Sequence, residues 1–78
     1  KLFNTFRKCQ RFYIIHAERM GNMINLQVIP GNTVFVKSQL MAVFSDQIFS
    51  CIADDNSILM VLRSEETAKD IFEQVKNW

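Results

Sequence analysis

Residues 24–28 show the clearest pattern in the chain, because apolar side chains occupy every second position with amide side chains between them. A period of two predicts a strand with one buried face. Pro30 and Gly31 then predict a type II turn, since proline fixes φ at about −65° and glycine accepts a positive φ. Residues 33–36 are β-branched or aromatic, and we expect them to form the second strand of a hairpin.

Three further segments extend this pattern toward the C-terminus. Residues 38–46 fit either a strand or one helical turn. Residues 48–53 are rich in β-formers and are followed by the turn formers of residues 54–57. Residues 58–62 are apolar on both faces, which is typical of a strand inside a sheet or at an interface.

The C-terminal residues predict an amphipathic helix. Ser64 is a suitable N-cap, and Glu65 and Glu66 place negative charge in the first turn, where the helix dipole stabilises it. The apolar stripe at helical spacing consists of Ala68, Ile71, Phe72, Val75 and Trp78.

The N-terminal residues are ambiguous. Residues 1–11 fit a short helix, because Leu2, Phe6 and Cys9 repeat at helical spacing. Residues 12–17 are apolar and β-prone, so the helix either continues through them or gives way to a strand. We favour a helix to about residue 10 followed by a strand.

Together these elements predict an α+β fold. We expect a mostly antiparallel sheet of four to five strands, a C-terminal helix packed on one face, and a short N-terminal helix or arm. Residues 1–78 would form a single domain. Within it, residues 1–22 are a basic helix or arm with a possible first strand, residues 23–63 a β-meander, and residues 64–78 the helix.

Composition supports a folded domain with an uneven charge distribution. Leu, Ile, Val and Phe make up 26 of the 78 residues, well above the level of disordered chains. The formal net charge of +1 separates into +4 over residues 1–20 and −3 over residues 21–78. The two cysteines, Cys9 and Cys51, have no framework spacing, and no apolar run is long enough for a membrane span. These features favour reduced thiols and a cytoplasmic location.

Candidate catalytic chemistry is sparse. His16 is the only histidine, and the two glycines do not have the spacing of a phosphate-binding loop. Cys9 and His16 are seven residues apart and allow a thiolate–imidazole pair, but a buried packing cysteine is the simpler interpretation. Residues 54–57 carry oxygen ligands in a row, yet turn formation explains them. We therefore expect no enzyme activity, no metal and no cofactor.

The basic N-terminal segment and the surplus of aromatic residues point to a binding partner. A small domain with seven Phe and a terminal Trp has difficulty burying all of them, so we expect a shared surface and a homodimer. The predicted partner-binding residues are Phe3, Phe6, Arg7, Lys8, Arg11, Tyr13, Phe35 and Trp78.

Three interpretations of that segment remain open. Its side chains either contact an acidic protein surface, including that of a second copy, or bind nucleic acid, or pack on the sheet with their charges solvated. The acidic body disfavours extended nucleic-acid contact because it repels phosphate.

From Met23 onward, the order of hairpin, further strands and a helix opening with residues 64–69 resembles short proteins of Gram-positive bacteria and their phages. The resemblance implies no activity. The favoured function is a non-enzymatic protein-interaction module, a regulator or inhibitor that acts by stoichiometric binding. The alternative is a nucleic-acid-associated protein that uses its basic aromatic arm.

Overall fold

The computed structural model describes residues 13–76, which form four strands and two helices in the order β1, β2, α1, β3, β4, α2. The element bounds are Ile14–Met20 for β1, Met23–Val28 for β2, Thr33–Phe44 for α1, Ile48–Ala53 for β3, Ser57–Leu62 for β4 and Glu65–Lys76 for α2. The N-terminal helix expected over residues 1–11 lies outside the described residues.

The four strands form one antiparallel sheet in the spatial order β1-β2-β4-β3. Strand β4 is thus an interior strand, as its apolar sequence predicts. Strand β1 confirms the strand favoured for the β-prone residues 12–17, although it begins at Ile14 and extends to Met20. A two-residue turn with Gly21 at φ +59° joins β1 to β2, a backbone conformation that suits glycine.

Both helices lie on the same face of the sheet, where alternate residues of β2 and β4 point toward them. Leu26 and Ile58 are direct neighbours in this layer and are fully buried. The predicted α+β fold is therefore confirmed, with the C-terminal helix on the sheet. The buried apolar core consists of Ile24, Leu26, Val28, Val36, Leu40, Phe44, Ile48, Ile58, Met60, Leu62, Ala68, Ile71 and Val75.

The strand predicted for residues 33–36 is wrong, because these residues begin α1. Strand β2 is already paired on both sides, with β1 and with β4, so the sheet has no free position for a hairpin partner there. The predicted turn does form: Gly31 has φ +87°, and the Asn32 N–H donates to the Ile29 carbonyl oxygen at 3.1 Å. The chain then enters a helix that interrupts the β-meander expected over residues 23–63.

The buried side of α1 explains why a helix forms despite its β-branched start. Thr33, Val36, Leu40 and Phe44 are buried at spacings of three and four residues, the repeat of one helical face. This face packs on β3 and β4. Tertiary burial thus overrides the local β propensity of the first turn.

The start of α2 follows the prediction closely. The Ser64 hydroxyl accepts a hydrogen bond from the Thr67 N–H at 3.1 Å, which is the expected N-cap. Glu65 lies 3.7 Å from Arg19 of β1, so this ion pair ties the first turn of α2 to the sheet. The sequence analysis counts Arg19 among the basic charges of residues 1–20. In the structure it is part of strand β1 and therefore of the folded sheet.

Replacing Leu26 by Ala should lower the free energy of unfolding by about 2–5 kcal/mol, because a buried core side chain is lost and a cavity remains. Gln27→Ala is the matched control on the opposite face of the same strand, and it should change stability by less than about 0.5 kcal/mol. Urea unfolding followed by circular dichroism measures both. Equal losses for the two variants would contradict the described orientation of β2.

Replacing Ser64 by Ala should lower the free energy of unfolding by about 1 kcal/mol, because the Thr67 N–H loses its acceptor. Ser38→Ala, at an exposed position of α1, is the control and should have an effect within about 0.5 kcal/mol. Urea unfolding followed by circular dichroism measures the stability of both variants. A Ser64 variant as stable as the control would show that this cap does not stabilise α2.

Candidate functional site

One end of the sheet brings together three loops that are distant in sequence. The Ile29 N–H donates to the Tyr13 carbonyl oxygen at 2.9 Å, and the Val28 N–H donates to the Asn56 carbonyl oxygen at 2.8 Å. The loop after β2 is therefore held between the residue before β1 and the turn between β3 and β4. Because backbone hydrogen bonds hold all three segments, their backbones have fixed relative positions.

The turn of residues 54–57, here called the acidic turn, is the most strongly charged part of this end. The Asp54 N–H donates to the Ser57 carbonyl oxygen at 2.7 Å, and the Gly31 N–H donates to the Asp55 carbonyl oxygen at 3.2 Å. Both aspartates are exposed, and neither has an ion pair with another residue of the range 13–76. The acidic turn therefore offers two adjacent carboxylates on a backbone that is held in place.

Two of the predicted partner-binding residues meet at the same end. The rings of Tyr13 and Phe35 are in an edge-to-face contact with centroids 5.5 Å apart and an interplanar angle of 64°. Phe35 lies in the first turn of α1, not on a strand as expected, and remains 40% exposed. The other predicted partner-binding residues lie outside the described residues: Phe3, Phe6, Arg7, Lys8, Arg11 and Trp78.

The remaining candidate groups do not form a catalytic constellation in the part of the chain that the structure describes. His16 is exposed and lies 3.2 Å from the Glu18 carboxylate. Its proposed partner Cys9 lies outside the described residues. Within residues 13–76, no three His, Cys, Asp or Glu side chains come together as a metal site, and neither helix is long and apolar enough to cross a membrane.

Cys51 is a half-buried thiol on the helix-facing side of β3, opposite Met60 of β4. Burial raises the pKa of the Cys51 thiol above its usual value, and the positive charge of Lys37 on α1 partly offsets this effect. A raised pKa disfavours the thiolate, which is the reactive form. Cys51 is thus a packing residue and not an activated nucleophile.

This raised pKa predicts a pH dependence of stability. The thiol ionises more easily in the unfolded chain than in the folded one, so its contribution is complete below about pH 8.5 and is lost as the pH rises further. The difference in urea midpoint between the wild type and Cys51→Ala should shrink between pH 7 and pH 10. A constant difference would contradict the burial of this thiol.

Comparison with known proteins gives this fold a family. The family model described as "Arginine repressor, C-terminal domain" matches residues 11–77, nearly the whole chain. The chain belongs to this family. The match covers all four strands and both helices, including the acidic turn.

Individual relatives agree with the arginine repressor C-terminal domain family. An arginine repressor of Exiguobacterium is 26% identical over 76 residues, covering 94% of this chain and 51% of the relative. An arginine repressor of Clostridium acetobutylicum is 32% identical over 63 residues, covering 81% of this chain and 42% of the relative. The chain thus spans about half the length of the curated relatives it matches.

These relatives are named as repressors, which are regulators and not enzymes. The prediction that the chain is not an enzyme is therefore confirmed. The broader prediction of a regulatory protein is confirmed as well. The sequence interpretation weighed residues 54–57 as a cation site and preferred turn formation. The structure adds that Asp54 and Asp55 are both exposed, an arrangement that also suits a cationic ligand.

Proposed function

We propose that this chain is a ligand-sensing regulatory domain that binds arginine at the acidic turn and acts by stoichiometric binding. Two observations support this function. The relatives are named arginine repressors. The structure also holds two exposed carboxylates together at one end of the sheet.

The chemistry of arginine requires carboxylate partners. Its guanidinium group is always charged and presents hydrogen-bond donors in a planar fork, which matches the two oxygens of a carboxylate. Such charge-assisted pairs are about twice as strong as neutral hydrogen bonds. Asp54 and Asp55 supply two such acceptors side by side.

Several other carboxylates in residues 13–76 are already engaged with basic side chains. They form the ion pairs His16–Glu18, Arg19–Glu65 and Glu73–Lys76. A ligand binding at any of these would have to replace an existing contact. At the acidic turn no such ion pair has to be replaced, which favours it as the arginine site.

The backbone of the acidic turn also favours binding. Because the carbonyl oxygen of Asp55 accepts the Gly31 N–H, the turn is held against the loop that leads into α1. A held turn loses little conformational freedom when a ligand binds, so more of the interaction energy appears as affinity.

Calorimetric titration of the chain with L-arginine tests the proposal. The wild type should bind saturably, and the double variant Asp54→Asn and Asp55→Asn should bind at least about tenfold more weakly, because losing charge-assisted hydrogen bonds costs about 1.5–3 kcal/mol. Glu66→Gln, an exposed acid on α2, is the matched control and should bind like the wild type.

Citrulline provides a second control, since it keeps the shape of arginine but lacks the positive charge. It should bind far more weakly than arginine. No heat of binding from L-arginine at millimolar concentration, or equal binding by the double variant, would overturn the proposal.

The nucleic-acid alternative receives support from the word repressor in the relatives' names. Residues 13–76 carry five Lys or Arg and eight Asp or Glu, a net charge of −3, which disfavours phosphate contact by this part of the chain. Within this chain, a nucleic-acid contact would therefore involve the basic residues before Tyr13, and it stays a prediction. A cytoplasmic location likewise stays a prediction.

A further inference from the structure

His16 and Glu18 form a polar pair on the face of the sheet opposite the two helices. They are two residues apart in β1, so their side chains leave the strand on the same side, whereas Ala17 between them packs on the core. The His16 Nε2 atom lies 3.2 Å from the Glu18 Oε2 atom, and the two side chains are 58% and 73% exposed. The pair is therefore accessible from solvent.

The neighbouring strand adds two amide side chains to this pair. The register of β1 and β2 places Gln27 opposite His16 and Asn25 opposite Glu18. Both amide residues are exposed, and they alternate with buried residues of β2 that point toward the helices. Residues directly opposite in an antiparallel pair have Cβ atoms about 4.5–5.5 Å apart. One imidazole, one carboxylate and two amides thus share a polar patch, here called the β1–β2 patch.

The separation of the imidazole nitrogen and the carboxylate oxygen suits a shared divalent cation. Zinc binds imidazole nitrogen at about 2.0–2.1 Å and carboxylate oxygen at about 2.0–2.2 Å. Two such ligands are about 2.9 Å apart when the angle at the metal is about 90°, and about 3.4 Å apart at the tetrahedral angle. The observed 3.2 Å lies between these values. A cation can therefore replace the contact between the two atoms by small rotations of exposed side chains, while the strand stays in place.

The mixture of ligands in the β1–β2 patch favours zinc over magnesium or calcium. Imidazole is a ligand for zinc, copper and nickel, whereas magnesium and calcium take oxygen ligands. Within residues 13–76 no third His, Cys, Asp or Glu joins the pair, so amide oxygens and water complete the coordination. The sequence predicts no metal because it has one histidine and no ligand motif. Only the strand register shows which side chains share a face.

The charges around the β1–β2 patch also favour a cation. Residues 13–76 carry a net charge of −3, which raises the local concentration of cations. Arg19, the residue after Glu18, points to the helix side and pairs with Glu65 at 3.7 Å. A cation at the β1–β2 patch therefore meets a carboxylate and no Lys or Arg from the same face of β1 and β2.

We propose that His16 and Glu18 bind a Zn²⁺ ion at the β1–β2 patch. The site goes beyond the proposed arginine function, because it uses other residues and another chemistry. The acidic turn joins β3 to β4, whereas the pair lies on β1, at the opposite edge of the sheet from β3. Only an extended strand brings side chains two residues apart to one side, so zinc binds the folded chain and stabilises it.

Titration of the chain with zinc chloride tests the site directly, because His16 is the only histidine. Its ring protons give the only histidine signals in the NMR spectrum, and these signals should shift saturably as zinc is added. The parent protein for this test is the variant Cys9→Ala and Cys51→Ala, since thiolates are strong zinc ligands and would compete.

Two substitutions in this parent should weaken zinc binding. His16→Gln and Glu18→Gln should each bind at least about tenfold more weakly in a calorimetric titration, because even the loss of a group that only orients a ligand costs about 10–100-fold. Both positions are exposed, so both variants should fold like the parent. Glu66→Gln, an exposed acid on α2, is the matched control and should bind like the parent. Zinc should raise the midpoint of thermal unfolding of the parent but not that of His16→Gln.

The alternative outcomes are distinguishable. Zinc binding without a shift of the His16 signals, or equal binding by His16→Gln, would overturn the proposal. Binding that is lost in the variant Asp54→Asn and Asp55→Asn but retained in Glu18→Gln would also overturn it and assign the ion to the acidic turn. An equal response to magnesium chloride would contradict the imidazole ligand. The titration contains no arginine, so a failure of the proposed arginine site leaves its result unchanged.

Discussion

Hydrogen bonding of β2 to a neighbour on each side determines the rest of this structure. Because β1 and β4 both pair with β2, the chain after Val28 cannot return as an adjacent strand and must leave the sheet. It does so through the Pro30–Gly31 turn into α1, which covers β3 and β4 on the same side as α2. The opposite face of the sheet then has no described element to cover it. The buried core and this uncovered face are two consequences of the same pairing.

The same pairing positions the acidic turn. Strand β4 lies beside β2, so the turn before Ser57 meets the loop after Val28, and the Val28 and Gly31 N–H groups donate to this turn. The position of the two aspartates thus follows from the strand order and not from local turn chemistry. The turn has one internal backbone hydrogen bond, from the Asp54 N–H to the Ser57 carbonyl oxygen, and it is held in addition by a segment more than twenty residues away.

The sequence predicts those parts of the fold whose signals are local. The alternation in β2, the apolar sequence of β4 and the Ser64 cap of α2 each depend on a few neighbouring residues, and each is confirmed. Helix α1 was predicted only in part, as one of two options for residues 38–46, and two physical reasons explain this. Its first turn is β-branched, and Lys37 is its one charged residue, so no polar stripe marks a helical period. Whether this segment forms a helix or a strand depends on the pairing of β2 with both β1 and β4, which involves residues far apart in the sequence.

The candidate site also depends on a long-range contact that the local sequence does not reveal. Asp54 and Asp55 are visible in the sequence, where turn formation explains them. The hydrogen bond from the Gly31 N–H, which holds this turn against a distant loop, is visible only in the structure. The strand pairing also bears on the proposed arginine site. Strand β4 is paired with β2 and with β3, so the turn that precedes it is anchored to a strand with a neighbour on each side. A turn held in this way has little conformational freedom left to lose on binding, which argues for a site that is already formed in the free domain.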